Sequence, residues 1–87
     1  MREQDILLAV DGSMTPIAPS KGDEYTLREA QAWVGGYIEV VRLDDEWILV
    51  VNEDGLAMGR DYNARASFIA GRMIVGPAAI VRSEHLP

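Results

Sequence analysis

Two apolar runs separated by three acidic residues constrain this chain more than any other feature. Tyr37 to Leu43 and Trp47 to Asn52 are rich in β-branched and aromatic residues, and Asp44-Asp45-Glu46 leaves room only for a short turn. The pair predicts a β-hairpin. In both runs the two alternating sets are largely apolar: Tyr37, Val41 and Leu43 against Ile38 and Val40, then Trp47, Leu49 and Val51 against Ile48 and Val50. A strand apolar on both sides belongs in mid-sheet, covered from both directions or laid against a partner chain.

The flanking sequence supplies the remaining elements. Ile6 to Val10 ends at Asp11-Gly12, a dipeptide that tolerates the positive φ angles of a hairpin turn. The return strand, Ser13 to Ala18, contains Pro16, which cannot donate to a ladder and so confines it to an edge. Thr26-Leu27-Arg28-Glu29 has the pattern of a capping box. Leu27, Ala30, Gln31 and Val34 follow at helical spacing, and Gly35-Gly36 closes the segment, predicting a helix over 27–34. After a turn at Asn52-Glu53-Asp54-Gly55, a short strand is expected around Leu56 to Met58. A second helix is expected over 63–70, capped by Asn63 or Asp61 and stopped by Gly71. Met73 to Val75 and Ala78 to Val81, interrupted by Gly76-Pro77, complete the sheet, and Ser83 to Pro87 reads as a frayed tail. The expected class is α+β: a mixed, mainly antiparallel sheet of five to six short strands with two short helices.

Length and composition limit what such a fold can do. The 87 residues make one domain, 1–87, with 48% hydrophobic and 25% charged residues and no cysteine. Neither a disulfide framework nor a thiolate metal site is available to reinforce a small core. No stretch without charge is longer than that from Met73 to Val81, far below the ~20 apolar residues that span a bilayer. The acidic start, Met1-Arg2-Glu3-Gln4-Asp5, does not read as a signal peptide, so no membrane association and a bacterial-host cytoplasmic location are expected. The net charge of −6 disfavours direct nucleic-acid binding. That charge is uneven, with −8 over residues 1–55 and +2 over residues 56–87.

Gly35-Gly36-Tyr37-Ile38-Glu39-Val40-Val41-Arg42-Leu43, the Val50-Val51 pair before Gly55, Asn63-Ala64-Arg65-Ala66 and Ile74-Val75-Gly76-Pro77-Ala78 occur together in order. As a set they resemble the DUF3846 family, a domain of unknown function found in small proteins of phages, mobile elements and some bacteria. The resemblance covers residues 35–81, about half of the chain, and carries no established catalytic or ligand residues. It implies an α+β fold and a phage or mobile-element setting.

Reactive groups are scarce. His85 is the only histidine and falls in the expected tail, where a general base would not be held in position. The paired carboxylates, Asp44-Asp45-Glu46 and Glu53-Asp54, lie in expected turns, where Asp favours the local geometry. A carboxylate-based hydrolase is therefore the least favoured reading, and no catalytic residue, metal or cofactor is expected. Gly35-Gly36 follows a helix and precedes a strand, the reverse of a phosphate-cradling loop. Arg60, Tyr62, Asn63 and Arg65 could form an anion site at the start of the second helix. Against that stands the plainer reading, in which Asn63 or Asp61 caps the helix and the arginines make ion pairs.

The expected function is non-enzymatic binding. The leading form is a phage or mobile-element protein that inhibits a host component, with counter-defence such as CRISPR inhibition its most concrete version. Asp44, Asp45, Glu46, Glu53 and Asp54 would contact a host protein that handles nucleic acid. The alternative is a binder that sequesters a nucleotide-like phosphate. Apolar surface left over on the hairpin would favour a homodimer.

Overall fold

A computed structural model describes residues 4–86. Asp5–Leu8 (β1) and Met14–Ile17 (β2) form the first hairpin, and helix α1 spans Leu27–Val34. Ile38–Arg42 (β3) and Trp47–Asn52 (β4) form the second hairpin, followed by helix α2 at Ala64–Ala70 and strand β5 at Ala78–Arg82. The strands make one sheet in the order β2-β1-β5-β4-β3, and every pairing is antiparallel. Among the described residues the expected α+β class holds, with two helices, five strands and no parallel pair.

The sheet is the middle of three layers. On one face Leu8, Trp47, Leu49, Val51, Ala78 and Ile80 pack with Ala66 of α2 and with Ile74. On the other, Ile48, Val50, Ala79 and Val81 pack under Tyr25, Ala30 and Val34, the last two from α1. All six residues of β4 are buried, as mid-sheet placement requires. Leu49 and Val50 are both fully excluded from solvent, each worth about 1.5–3 kcal/mol relative to exposure.

Local chemistry sets the helix ends. The Thr26 hydroxyl accepts from the Glu29 amide at 3.1 Å, and the Glu29 carboxylate accepts from the Thr26 amide at 2.9 Å. Gly35 closes α1 at φ 74°, a left-handed angle that costs glycine nothing. Asn63 caps α2, and Gly71 ends it in the same way.

Four expectations fail. Strand β3 lies at the edge of the sheet and not inside it, because β5 takes the place between β4 and β1. No strand forms at Leu56 to Met58, where consecutive turns carry the chain away from β4. Met73 to Val75 contributes a single bridge, Tyr62 to Val75, outside the sheet. Ser83–His85 is a 3-10 turn bonded into the fold, whereas a frayed tail was expected. Pro87, the last residue of that tail, is outside the described residues.

Candidate functional site

The anion site proposed for the start of α2 does not assemble. Asn63 is fully buried. Its Oδ1 accepts from the Ala66 amide at 3.0 Å, and its Nδ2 donates to the Leu8 and Gly76 carbonyls at 3.1 and 2.9 Å. These bonds tie α2 to β1 and to the bend before β5, leaving no group for a ligand. Arg60 reaches toward the end of α1, where its guanidinium donates to the Gly35 carbonyl at 3.4 Å, placing a cation at the negative end of the helix dipole. Its Nε is buried without a partner among the described residues. A recess of about 300 Å³ lies beside it, lined also by Val10, Met58 and Pro77. Tyr62 and Arg65 are exposed.

The acidic residues occupy two separate tips. Asp44, Asp45 and Glu46 precede β4, while Glu53 and Asp54 follow it, so a six-residue strand of roughly 20 Å separates the groups. Asp44 is engaged in shaping its turn, since its Oδ1 accepts from the Glu46 and Trp47 amides, both at 2.8 Å. Asp45, Glu46, Glu53 and Asp54 are exposed. Glu39 and Glu53 share a recess of about 140 Å³, but Arg72 bridges Glu39 at 3.1 Å. That space is below the ~300 Å³ of ordinary small-molecule sites.

Two features were missed by the sequence reading. The first is a buried carboxylate. Asp5 is 3% exposed, and its Oδ2 meets both the Tyr25 hydroxyl and His85 Nδ1 at 2.7 Å. Its Oδ1 accepts from the Arg82 amide at 3.1 Å. The Tyr25 ring stacks edge-on against Trp33 with centroids 4.6 Å apart. Burial, then the bond to Asp5, pushes the Tyr25 phenol well above its ordinary pKa of 10.0. The network therefore locks β1, the approach to α1 and the C-terminal turn together. The sole signal in the sequence was an aspartate heading an apolar strand.

The second is a groove of about 520 Å³ on the α1 face, lined by Tyr25, Leu27, Ile38, Val40, Arg42, Ile48, Ser83 and Leu86. It exists because α1 covers only part of its face. The segment entering α1 is tied to the C-terminal turn by the Tyr25 amide, which donates to the His85 carbonyl at 2.7 Å. The helix end is pinned to the far end of β4 by Asn52, whose Nδ2 donates to the Val34 carbonyl at 2.9 Å. The second half of β3 is left open, and Val40 is 49% exposed. Arg42 supplies the groove's charge, and its guanidinium makes a long bond to the Asp44 carbonyl at 3.3 Å.

Over residues 1–85 the chain matches the family described as Domain of unknown function (DUF3846). The chain belongs to that family. The match extends the resemblance noted over residues 35–81 to nearly the whole DUF3846 chain. No curated protein and no solved structure matches it. No helix among the described residues is long and apolar enough to cross a membrane.

Proposed function

We propose that this DUF3846 domain acts by binding another protein and not by turnover. One observation carries the reading: the most spacious described recess is an apolar groove with a single guanidinium, open at the sheet edge. An apolar floor with one charge suits recognition of a partner's side chains. The groups best suited to proton transfer, Asp5, Tyr25 and His85, are instead bonded to one another.

In the phage or mobile-element setting that the family resemblance implies, the partner is a host protein. Inhibition of a defence system, CRISPR included, is the most concrete form of that role. Asp45, Glu46, Glu53 and Asp54, at the two exposed tips, would steer the domain toward a basic, nucleic-acid-handling surface. A complex with such a protein should weaken as salt rises, and charge reversal at these four residues should slow association at least tenfold. Binding unaffected by both changes would remove the electrostatic account. The alternative, a nucleotide-like phosphate beside Arg60, draws on the recess there. A thermal-shift series with nucleotides at millimolar concentration would raise the melting temperature under that alternative and leave it unchanged under protein binding.

A further inference from the structure

The backbone of β3 points to the kind of segment that the groove would take. In the β3–β4 ladder the Leu43 amide donates to the Trp47 carbonyl at 3.0 Å, and the Glu53 amide donates to the Tyr37 carbonyl at 2.9 Å. Hydrogen-bonded and non-bonded pairs alternate along an antiparallel ladder. With Glu39 opposite Val51 and Val41 opposite Leu49, residues 37, 39, 41 and 43 direct their amides and carbonyls toward β4. Ile38, Val40 and Arg42 direct theirs outward, to the free edge. These same three residues line the groove. Among the described residues, one strand thus offers an unpaired backbone edge and a side-chain floor in the same register.

Resting on the binding reading above, we propose that β3 receives an extended segment of a partner protein as a sixth strand. That strand continues the antiparallel order. Its residues opposite Ile38 and Val40 are apolar, and the residue opposite Arg42 carries a carboxylate. Backbone bonds along the edge provide affinity, and the alternate side chains entering the groove provide selection. The carboxylate requirement follows from Arg42, the one charged side chain of the lining, which can pair an acid through two parallel bonds.

A second copy of this chain fits the same edge less well. Symmetric antiparallel pairing that keeps the groove faces together sets even-numbered residues of β3 opposite even-numbered ones. Within β3, Arg42 then faces Ile38, Val40 or Arg42 of the copy and not an acid. Glu39, the sole acid of β3, points to the opposite face, where Arg72 holds it at 3.1 Å.

The test is a displayed library of random nonapeptides panned against the full chain, followed by synthesis of an enriched peptide. Enrichment of an acid flanked at alternate positions by apolar residues is expected. Amide exchange at Ile38, Val40 and Arg42 should be fast in the free protein and at least tenfold slower with the peptide bound. Glu39, Val41 and Leu43 should be protected throughout. Arg42→Glu should weaken the acidic peptide at least tenfold and favour its lysine counterpart. Val40→Pro removes an outward amide without breaking an internal bond, so it should abolish binding while leaving the urea midpoint nearly unchanged.

No enriched peptide, or a bound peptide that leaves those three amides exchanging, overturns the proposal. So does a dimeric mass with the same amides protected in the free protein, which would make a second copy the occupant. A host protein that still binds Val40→Pro and Arg42→Glu sinks strand addition but leaves protein binding standing. Peptides that bind as described while no host protein does would sink the proposed function alone.

Discussion

The two edges of the sheet are built to opposite specifications. At β2 the pairing through the Ala9 amide and Ser13 carbonyl makes Met14 and Pro16 the outward-facing residues, and Pro16 has no amide to offer. Three of the four residues of β2 are exposed, and the strand lines none of the recesses described above. At β3 three alternate residues keep both backbone groups outward and stand over an apolar floor. Proteins ordinarily blunt such an edge with proline, charge or brevity. Proline removes an outward donor at one edge, whereas the other, although it carries Glu39 and Arg42, keeps every outward amide, so the exposure of β3 is a property of that strand and not a general looseness of a small fold.

The strongest test of that contrast asks whether the edges depend on a common rigid interior. Leu49→Ala in β4 should cost about 3 kcal/mol in urea unfolding, because it opens a cavity in a fully buried strand. Val40→Ala, on the half-exposed edge, should cost under about 1 kcal/mol. Equal costs would mean that β3 belongs to the core as fully as β4 does.

Next comes the wall beside β3. Tyr25→Phe leaves the buried Asp5 one donor short and should cost about 1–2 kcal/mol at neutral pH. The neutral phenol is the folded form, so its contribution is complete below pH 10 and is lost as pH rises beyond. The Phe variant should therefore lose less stability than the parent between pH 10 and 11, followed by circular dichroism. An unchanged alkaline slope would separate Tyr25 from that limb.

Smaller changes sharpen the β2 side. Pro16→Val should alter stability by less than about 1 kcal/mol yet raise self-association in sedimentation, because it restores an outward donor. Glu29 ties the loop after β2 to α1, accepting from the Thr26 and Ser20 amides at 2.9 and 3.3 Å. The Thr26 bond holds its carboxyl below its ordinary 4.5. Its contribution is present above that value and fades as pH falls through the depressed one, so Glu29→Gln should flatten the acid limb below pH 5. A parallel shift of the whole curve would contradict the assignment.

What could be read from the sequence was local. The Thr26 and Glu29 capping box, the Gly35 and Gly71 stops, and the hairpins at Asp11-Gly12 and Asp44 to Glu46 all follow from neighbours within a few residues. Pro16 announced its edge for the same reason. Strand order was not legible, because no local pattern says that β5, with the small residues Ala78 and Ala79, displaces β3 from the interior. Asp5 and His85 meet across 80 positions, so the anchoring of the C-terminal turn had no nearby signature. Asn63 looked like a ligand candidate since its capping role was visible and its bond to Leu8, 55 positions away, was not. The groove arises from where α1 stops covering its face, which only the assembled layers define.

The placement of β5 carries a consequence for synthesis. It is the fifth strand along the polypeptide and the third across the sheet, bonded on both sides. In a nascent chain the inner margins of β1 and β4 have no partner strand until residues 78–82 are available. During that interval these hidden margins are the exposed liability, more than β3. Closure of the sheet is then a single late insertion governed by long-range pairing, which sets a slow tempo for so short a chain.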